Sequence, residues 1–151
     1  MNKNQFDERQ LKIRGQVFFH GLISALALVL FNAFLQDDGM IWASPFYQNL
    51  LIFMAVVTVV SIDAILRGVY FGQRKRPWLQ IGFFGILSVV LTGFCLRDLL
   101  QGAALTENAG LTGKGASLVF DSMFVAITLI GAIKALAEKH KNDAQQEMLE
   151  E

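Results

Sequence analysis

The sequence predicts an all-α integral membrane protein, a four-helix bundle with both termini on the cytoplasmic side. Three observations carry this expectation. Four apolar stretches, at about residues 17–35, 46–66, 79–96 and 118–137, are each about 18–21 residues long. At about 1.5 Å of rise per residue, each matches as a helix the ~30 Å hydrocarbon core of a bilayer. Hydrophobic residues make up 54% of the chain and charged residues 17%, and the charges lie mostly outside the four runs. A soluble domain of this size would instead spread its charges along amphipathic elements. Finally, eleven of the thirteen Lys and Arg residues precede the first run, join the second to the third, or close and follow the fourth. The positive-inside rule then places both ends and the middle joint in the cytoplasm, which an even number of spans satisfies.

The organisation that follows is a cytoplasmic amphipathic lead-in (1–15), a membrane domain (16–137) and a charged cytoplasmic helix (138–151). In the lead-in, residues 4–14 suit a short helix with Asn4 as N-cap and Asp7 and Glu8 in its first turn. Phe6, Gln10, Ile13 and Val17 share one side, with Leu11 adjacent. That pattern suits an interfacial helix lying on the inner leaflet, its basic residues toward lipid phosphates. Span one follows a basic segment, as the apolar part of a signal peptide would. It is too long for that role, and no clear cleavage site precedes Asp37-Asp38, so it reads as an uncleaved first span.

Gly39 falls in a tight outer turn, and Trp42 and Tyr47 mark the outer boundary. Pro45 opens span two at a position where a missing N–H costs nothing, with Ser44 as N-cap. Arg67, Arg74, Lys75 and Arg76 form the basic inner joint; Tyr70 and Trp78 mark the inner boundary, and Pro77 opens span three. With no proline inside a span, none is a proline-broken helix of the transporter kind. The second outer connection, about 99–116, holds Gly102, Gly110, Gly113 and Gly115 and is expected to be the least ordered part of the membrane domain. Its Gly-Leu-Thr-Gly-Lys-Gly at 110–115 fails as a phosphate loop: Asn108 stands where the first glycine belongs and Gly115 where Ser or Thr is needed. Ser117 is the expected cap of span four, whose helix continues into a tail too polar to fold alone and too short for a coiled coil. Phe19-His20-Gly21-Leu22-Ile23-Ser24 echoes Phe83-Phe84-Gly85-Ile86-Leu87-Ser88, each early in the first helix of a hairpin, as a duplicated hairpin would.

Polar residues at membrane depth are the candidate functional residues, because each costs free energy there and faces protein or water. His20 and Asp63 lie about one turn inside the cytoplasmic ends of spans one and two, so an antiparallel hairpin brings them to one depth. Either they form a buried, charge-assisted and proton-sensitive hydrogen bond, or Asp63 pairs with Arg67 one turn on and His20 reaches to the interface. On the outer side, an Arg97–Asp121 bridge locks spans three and four, or Asp121, Arg97 and Asn32 line a ligand or ion site. Gly82, Gly85 and Gly93 on span three, Gly131, Ala132 and Ala135 on span four, and Gly21 and Ala25 on span one offer close helix approach. Cys95 stands alone and reads as a packing residue. No paired acids, metal-ligand cluster or nucleophile–base set occurs at membrane depth, so no enzyme, cofactor or metal is expected.

Asp7-Glu8-Arg9-Gln10-Leu11-Lys12-Ile13-Arg14-Gly15, then Phe31-Asn32-Ala33-Phe34-Leu35 and Ile41-Trp42-Ala43, resembles a group of small four-span integral membrane proteins from Gram-positive bacteria. The resemblance runs to about Tyr70, with a matching span count beyond. It implies this topology and a bacterial membrane, and it supplies no activity and no site residues. Members are similar to products often found near small transcription regulators, which implies a regulatory partner. The expected function is a non-enzymatic protein-binding or regulatory module of the bacterial cytoplasmic membrane; the alternative is a small oligomeric transporter or channel using Asp63 or Asp121. Expected partners are membrane lipids, a protein at the cytoplasmic face and further copies of the chain, with no nucleic acid.

Overall fold

The computed structural model describes residues 8–70 and 77–150. They form α1 (Glu8–Asp37), α2 (Pro45–Leu66), α3 (Pro77–Leu100), a hairpin of β1 (Thr106–Glu107) and β2 (Gly110–Leu111), and α4 (Gly113–Glu150). All four helices are long and apolar enough to cross a membrane. Asn4, Phe6 and Asp7 of the expected interfacial helix, and the Arg74-Lys75-Arg76 run, lie outside the described residues. From Glu8 onward the lead-in is drawn into α1 without a break.

The helices form an open row rather than a closed ring. α1 packs on α2, α2 on α4, and α4 on α3. The chain thus makes two antiparallel hairpins, α1–α2 and α3–α4, docked through α2 and α4, which run parallel. At one end, here the basic end, Gly131 of α4 lies against Ile65 of α2 and Ile81 of α3. At the other, the hairpin end, Gly113 abuts the Tyr47 ring. Inward faces follow helical spacing: Leu51, Met54, Ser61, Ala64 and Ile65 on α2, and Ile127, Gly131 and Ala135 on α4. Only 6% of the apolar window of α3 is buried, against 22% of that of α4, so α3 is peripheral and α4 central. Phe18, Leu26 and Phe34 on α1 and Phe83, Ile86 and Val89 on α3 are exposed, as residues facing hydrocarbon would be.

Small residues let the hairpins close, though not all those expected. Gly21 takes α1 against Val60 of α2, and Gly85 takes α3 against Thr128 of α4. Gly82 and Gly93 face open space and mediate no contact among the described residues.

The helix ends are closed within the chain. Gly39, Gly68 and Gly102 all have positive φ (75°, 70° and 78°) and follow α1, α2 and α3. Each ends its helix with the same Schellman pair of bonds, for α1 Met40 N–H to Leu35 O (2.9 Å) and Gly39 N–H to Gln36 O (3.0 Å). Ser44 stands at the N-cap of α2 as expected, but its hydroxyl makes no capping bond.

The 99–116 connection departs most from expectation. It is an ordered cap. Asn108 (φ 48°) and Ala109 (φ 63°) form a two-residue turn with both φ positive, the geometry that matches the twist of an antiparallel hairpin. Leu111 N–H then donates to Trp42 O (2.7 Å), and Leu111 bridges Ala43, so the hairpin is joined to the α1–α2 turn. Thr112 starts α4 one turn earlier than Ser117 would: its hydroxyl oxygen accepts from Gly115 N–H (3.1 Å) and lies 2.7 Å from Ala104 O, to which it donates. Ser117 instead donates to Gly113 O inside the helix (2.9 Å). The glycines serve this packing: a Cβ at Gly110 would meet Ile41 O at 2.9 Å, and one at Gly115 would run into Leu105 O.

The left-handed Ala109 carries strain of about 1–2 kcal/mol, partly offset in a glycine variant by greater unfolded-state freedom. Ala109→Gly is expected to stabilise the detergent-solubilised protein by about 0.5–1 kcal/mol in a thermal melt. Gly115→Ala is expected to destabilise it by about 1–3 kcal/mol. A fall in the first or no change in the second would show that the cap is not formed this way.

Candidate functional site

Polar side chains gather at the two ends of the helix row. At the basic end, α1 and α2 are held close by Val17, Ala64 and Val69, with Ile13, Val60 and Tyr70 packed around them. Burial of Tyr70 raises its phenol above the ordinary value, against a smaller opposing effect of its hydrogen bond with Ser61. One helical face of α1 presents Lys12, Gln16 and His20 at four-residue spacing. Asp63 sits across from His20, three residues before α2 ends.

Asp63 meets both His20 and Arg67, and the His20 contact is exposed rather than buried as expected. His20 Nδ1 lies 2.9 Å from Asp63 Oδ2, and Arg67 Nε donates to Asp63 Oδ1 at 2.6 Å. The carboxylate can only accept, so the ring nitrogen facing it carries the proton. Arg67 Nη1 also donates to Gln16 Oε1 (3.3 Å), tying α2 back to α1. His20 and Arg67 are exposed and the Asp63 side chain is 22% exposed, so protein encloses neither contact, and against water each is worth at most about 1 kcal/mol.

At the hairpin end the expected Arg97–Asp121 bridge is absent. Asp98 takes the cation of the outer turn instead, pairing with Lys114. The reason is helical register. Ser88, Thr92 and Cys95 share the side of α3 turned to α4, whereas Arg97, five residues past Thr92, is about 140° round the axis at 3.6 residues per turn. Asp121 is only 4% exposed and accepts from Thr92 Oγ1 at 2.7 Å. Its second oxygen is buried with no partner. Because α4 begins at Gly113, Asp121 lies about 12 Å along the helix, well beyond the first turn whose free N–H groups were to stabilise it.

Asn32 is buried and apart from both. Its Oδ1 accepts from Trp42 Nε1 (2.8 Å), beside a cavity of about 350 Å³ between α1, α2 and α4, walled by Leu28, Leu35, Leu51, Val119 and Met123. Asn32 and Asp121 thus bond to different partners, Trp42 and Thr92. Gln48, 2% exposed, was not anticipated: it accepts from Gln36 Nε2 (2.6 Å) and donates to Ala43 O (2.9 Å), latching the α1–α2 turn. Its signal was available as one of two adjacent amides, Gln48 and Asn49, near the start of an otherwise apolar span. Thr92 gave none, because one threonine in a span satisfies itself against its own helix as readily as it meets a neighbour.

Among the described residues no three His, Cys, Asp or Glu side chains stand close enough to hold a metal ion. No known family, curated protein or solved structure matches the chain. The polar groups themselves carry the functional argument: a charge-bearing notch at the basic end and a half-satisfied buried carboxyl between α3 and α4.

The His20–Asp63 contact fixes a tautomer. In histidine-labelled protein, neutral His20 is expected to show the Nδ1–H form by ¹⁵N NMR, with Asp63→Ala shifting the balance toward Nε2–H. Identical ring shifts in the two proteins would remove the contact.

Proposed function

We propose that this chain is a non-enzymatic protein of the bacterial cytoplasmic membrane, with both termini in the cytoplasm, that acts by binding another protein as a regulatory module. The observation that carries this reading is the reach of α4. Gly131 is level with Ile65, one residue from the end of α2, yet α4 continues to Glu150. The thirteen residues beyond Ala137 extend about 20 Å at 1.5 Å each. Glu138, Lys139, His140, Lys141, Ala144 and Gln145 are all exposed along that length. A helix of this polarity contributes nothing to a membrane core; joined without a break to the central helix of the domain, it suits a docking arm. The distribution of basic residues supports its cytoplasmic placement.

The test is co-purification from mild detergent with the full chain and with a chain truncated after Ala137. One protein is expected in stoichiometric amount with the full chain and is lost on truncation, while both forms remain in the membrane. A partner retained by the truncated chain would move binding to the lipid-facing helices; no partner with either would defeat the reading.

Asp121 favours a second reading, a small oligomeric transporter or channel. A buried carboxyl oxygen without a partner is costly in hydrocarbon and marks substrate or ion paths in membrane proteins. Asp63, already engaged by His20 and Arg67, supports it less. In liposomes this reading predicts proton- or cation-coupled flux from the purified protein, falling at least about tenfold in Asp121→Asn. Flux equal to empty liposomes would exclude it.

A further inference from the structure

The geometry points to a binding site for the phosphate of an anionic lipid headgroup, in the notch formed by Lys12, Gln16 and His20 of α1 and Arg67 of α2. This goes beyond the partner-binding reading and requires only that the helices span a bilayer. The notch is an open cavity of about 580 Å³ whose remaining walls are Gly15 and Phe19. Gly15 has nothing near the position of a Cβ, so the floor between Lys12 and Gln16 is unobstructed.

Its cations are arranged for an anion. Arg67 does not swing freely: Asp63 fixes its Nε and Gln16 accepts from its Nη1, which sets the plane of the guanidinium while leaving its remaining donors unspent. Such a held fork suits a phosphate, which it meets with two parallel bonds. Among the described residues the one carboxylate in contact, Asp63, is already shared between His20 and Arg67. Lys12 forms no ion pair among the described residues, so the notch keeps an uncompensated positive charge.

Position favours a lipid as the source of the phosphate. Lys12 lies five residues before Val17, where the apolar run begins, and Arg67 immediately follows the last residue of α2. Both therefore stand at the depth of the headgroups when the helices cross the hydrocarbon. Phe19, Ile23 and Leu26 continue the exposed surface of α1 from the notch toward the hairpin end, offering an acyl chain a path below its own headgroup. A soluble phosphate would make no use of that surface.

The experiment follows thermal unfolding of the full chain in neutral detergent while phosphatidylglycerol, phosphatidylcholine or inorganic phosphate is titrated in. Phosphatidylglycerol is expected to raise the unfolding midpoint saturably, with neither phosphatidylcholine nor phosphate doing so at equal concentration. Lys12→Gln, an exposed change that leaves the α1–α2 contacts intact, is expected to weaken the apparent affinity about five- to tenfold. Arg67→Lys, which keeps the charge and loses the fork, is expected to weaken it as well. Lys139→Gln, on the distant tail, is expected to leave it unchanged. Equal stabilisation by phosphatidylcholine, equal affinity in Lys12→Gln, or an equal loss in Lys139→Gln would overturn the site. Saturation by inorganic phosphate at matching affinity would overturn its assignment to a lipid.

Discussion

The ends of a helix leave backbone N–H and C=O groups without partners inside it, and in this chain other parts of the chain supply them. This constraint explains the parts of the structure that are not helix. Three helices end on glycines that turn their last carbonyls onto the following N–H groups. The fourth begins on Thr112, whose hydroxyl serves the connection before it and the helix after it. The small hairpin belongs to the same solution: Leu111 supplies the N–H that Trp42 O would otherwise lack. The polar joints are thus short caps that satisfy the ends of long elements, and their glycines sit where backbones nearly touch.

The second organising fact is the parallel contact of α2 and α4. Docking two antiparallel hairpins through their second helices leaves α1 and α3 at the edges, each with one neighbour. The internal echo in the sequence acquires a geometric counterpart here. Gly21 meets Val60 in the first hairpin, and Gly85, its counterpart in the echo, meets Thr128 in the second. The polar groups do not repeat: the first hairpin holds His20, Asp63 and Arg67 at the basic end, and the second holds Asp121 and Thr92 nearer the other. The two hairpins thus share the placement of one glycine contact and differ in their polar groups.

Helix number, order and approximate limits were legible in the sequence, because apolar length is a coarse property that tolerates errors of a turn. The joining of His20 to Asp63 was legible too, since equal depth in a hairpin narrows the partners to a few. What failed was finer than a turn. Starting α4 at Thr112 instead of Ser117 moved Asp121 inward, and the rotation of α3 turned Arg97 away and left Thr92 as its neighbour. The hairpin escaped notice because two-residue strands show no alternation, and Asn108-Ala109 is an unusual pair for its turn. The open row escaped because nothing in an apolar helix says whether lipid or another helix covers a given face.

The continuity of α4 has a mechanical meaning. It holds no proline and is helical from Gly113 to Glu150, so it lacks the usual place for a bend. A tilt of about 10° pivoting near Gly131 would sweep the far tip sideways by about 5 Å, given ~28 Å from there to the tip at 1.5 Å per residue. Lys114 lies about 25 Å to the other side of that pivot, so a stiff α4 would carry a movement at the Asp98 contact to its far tip at about the same size.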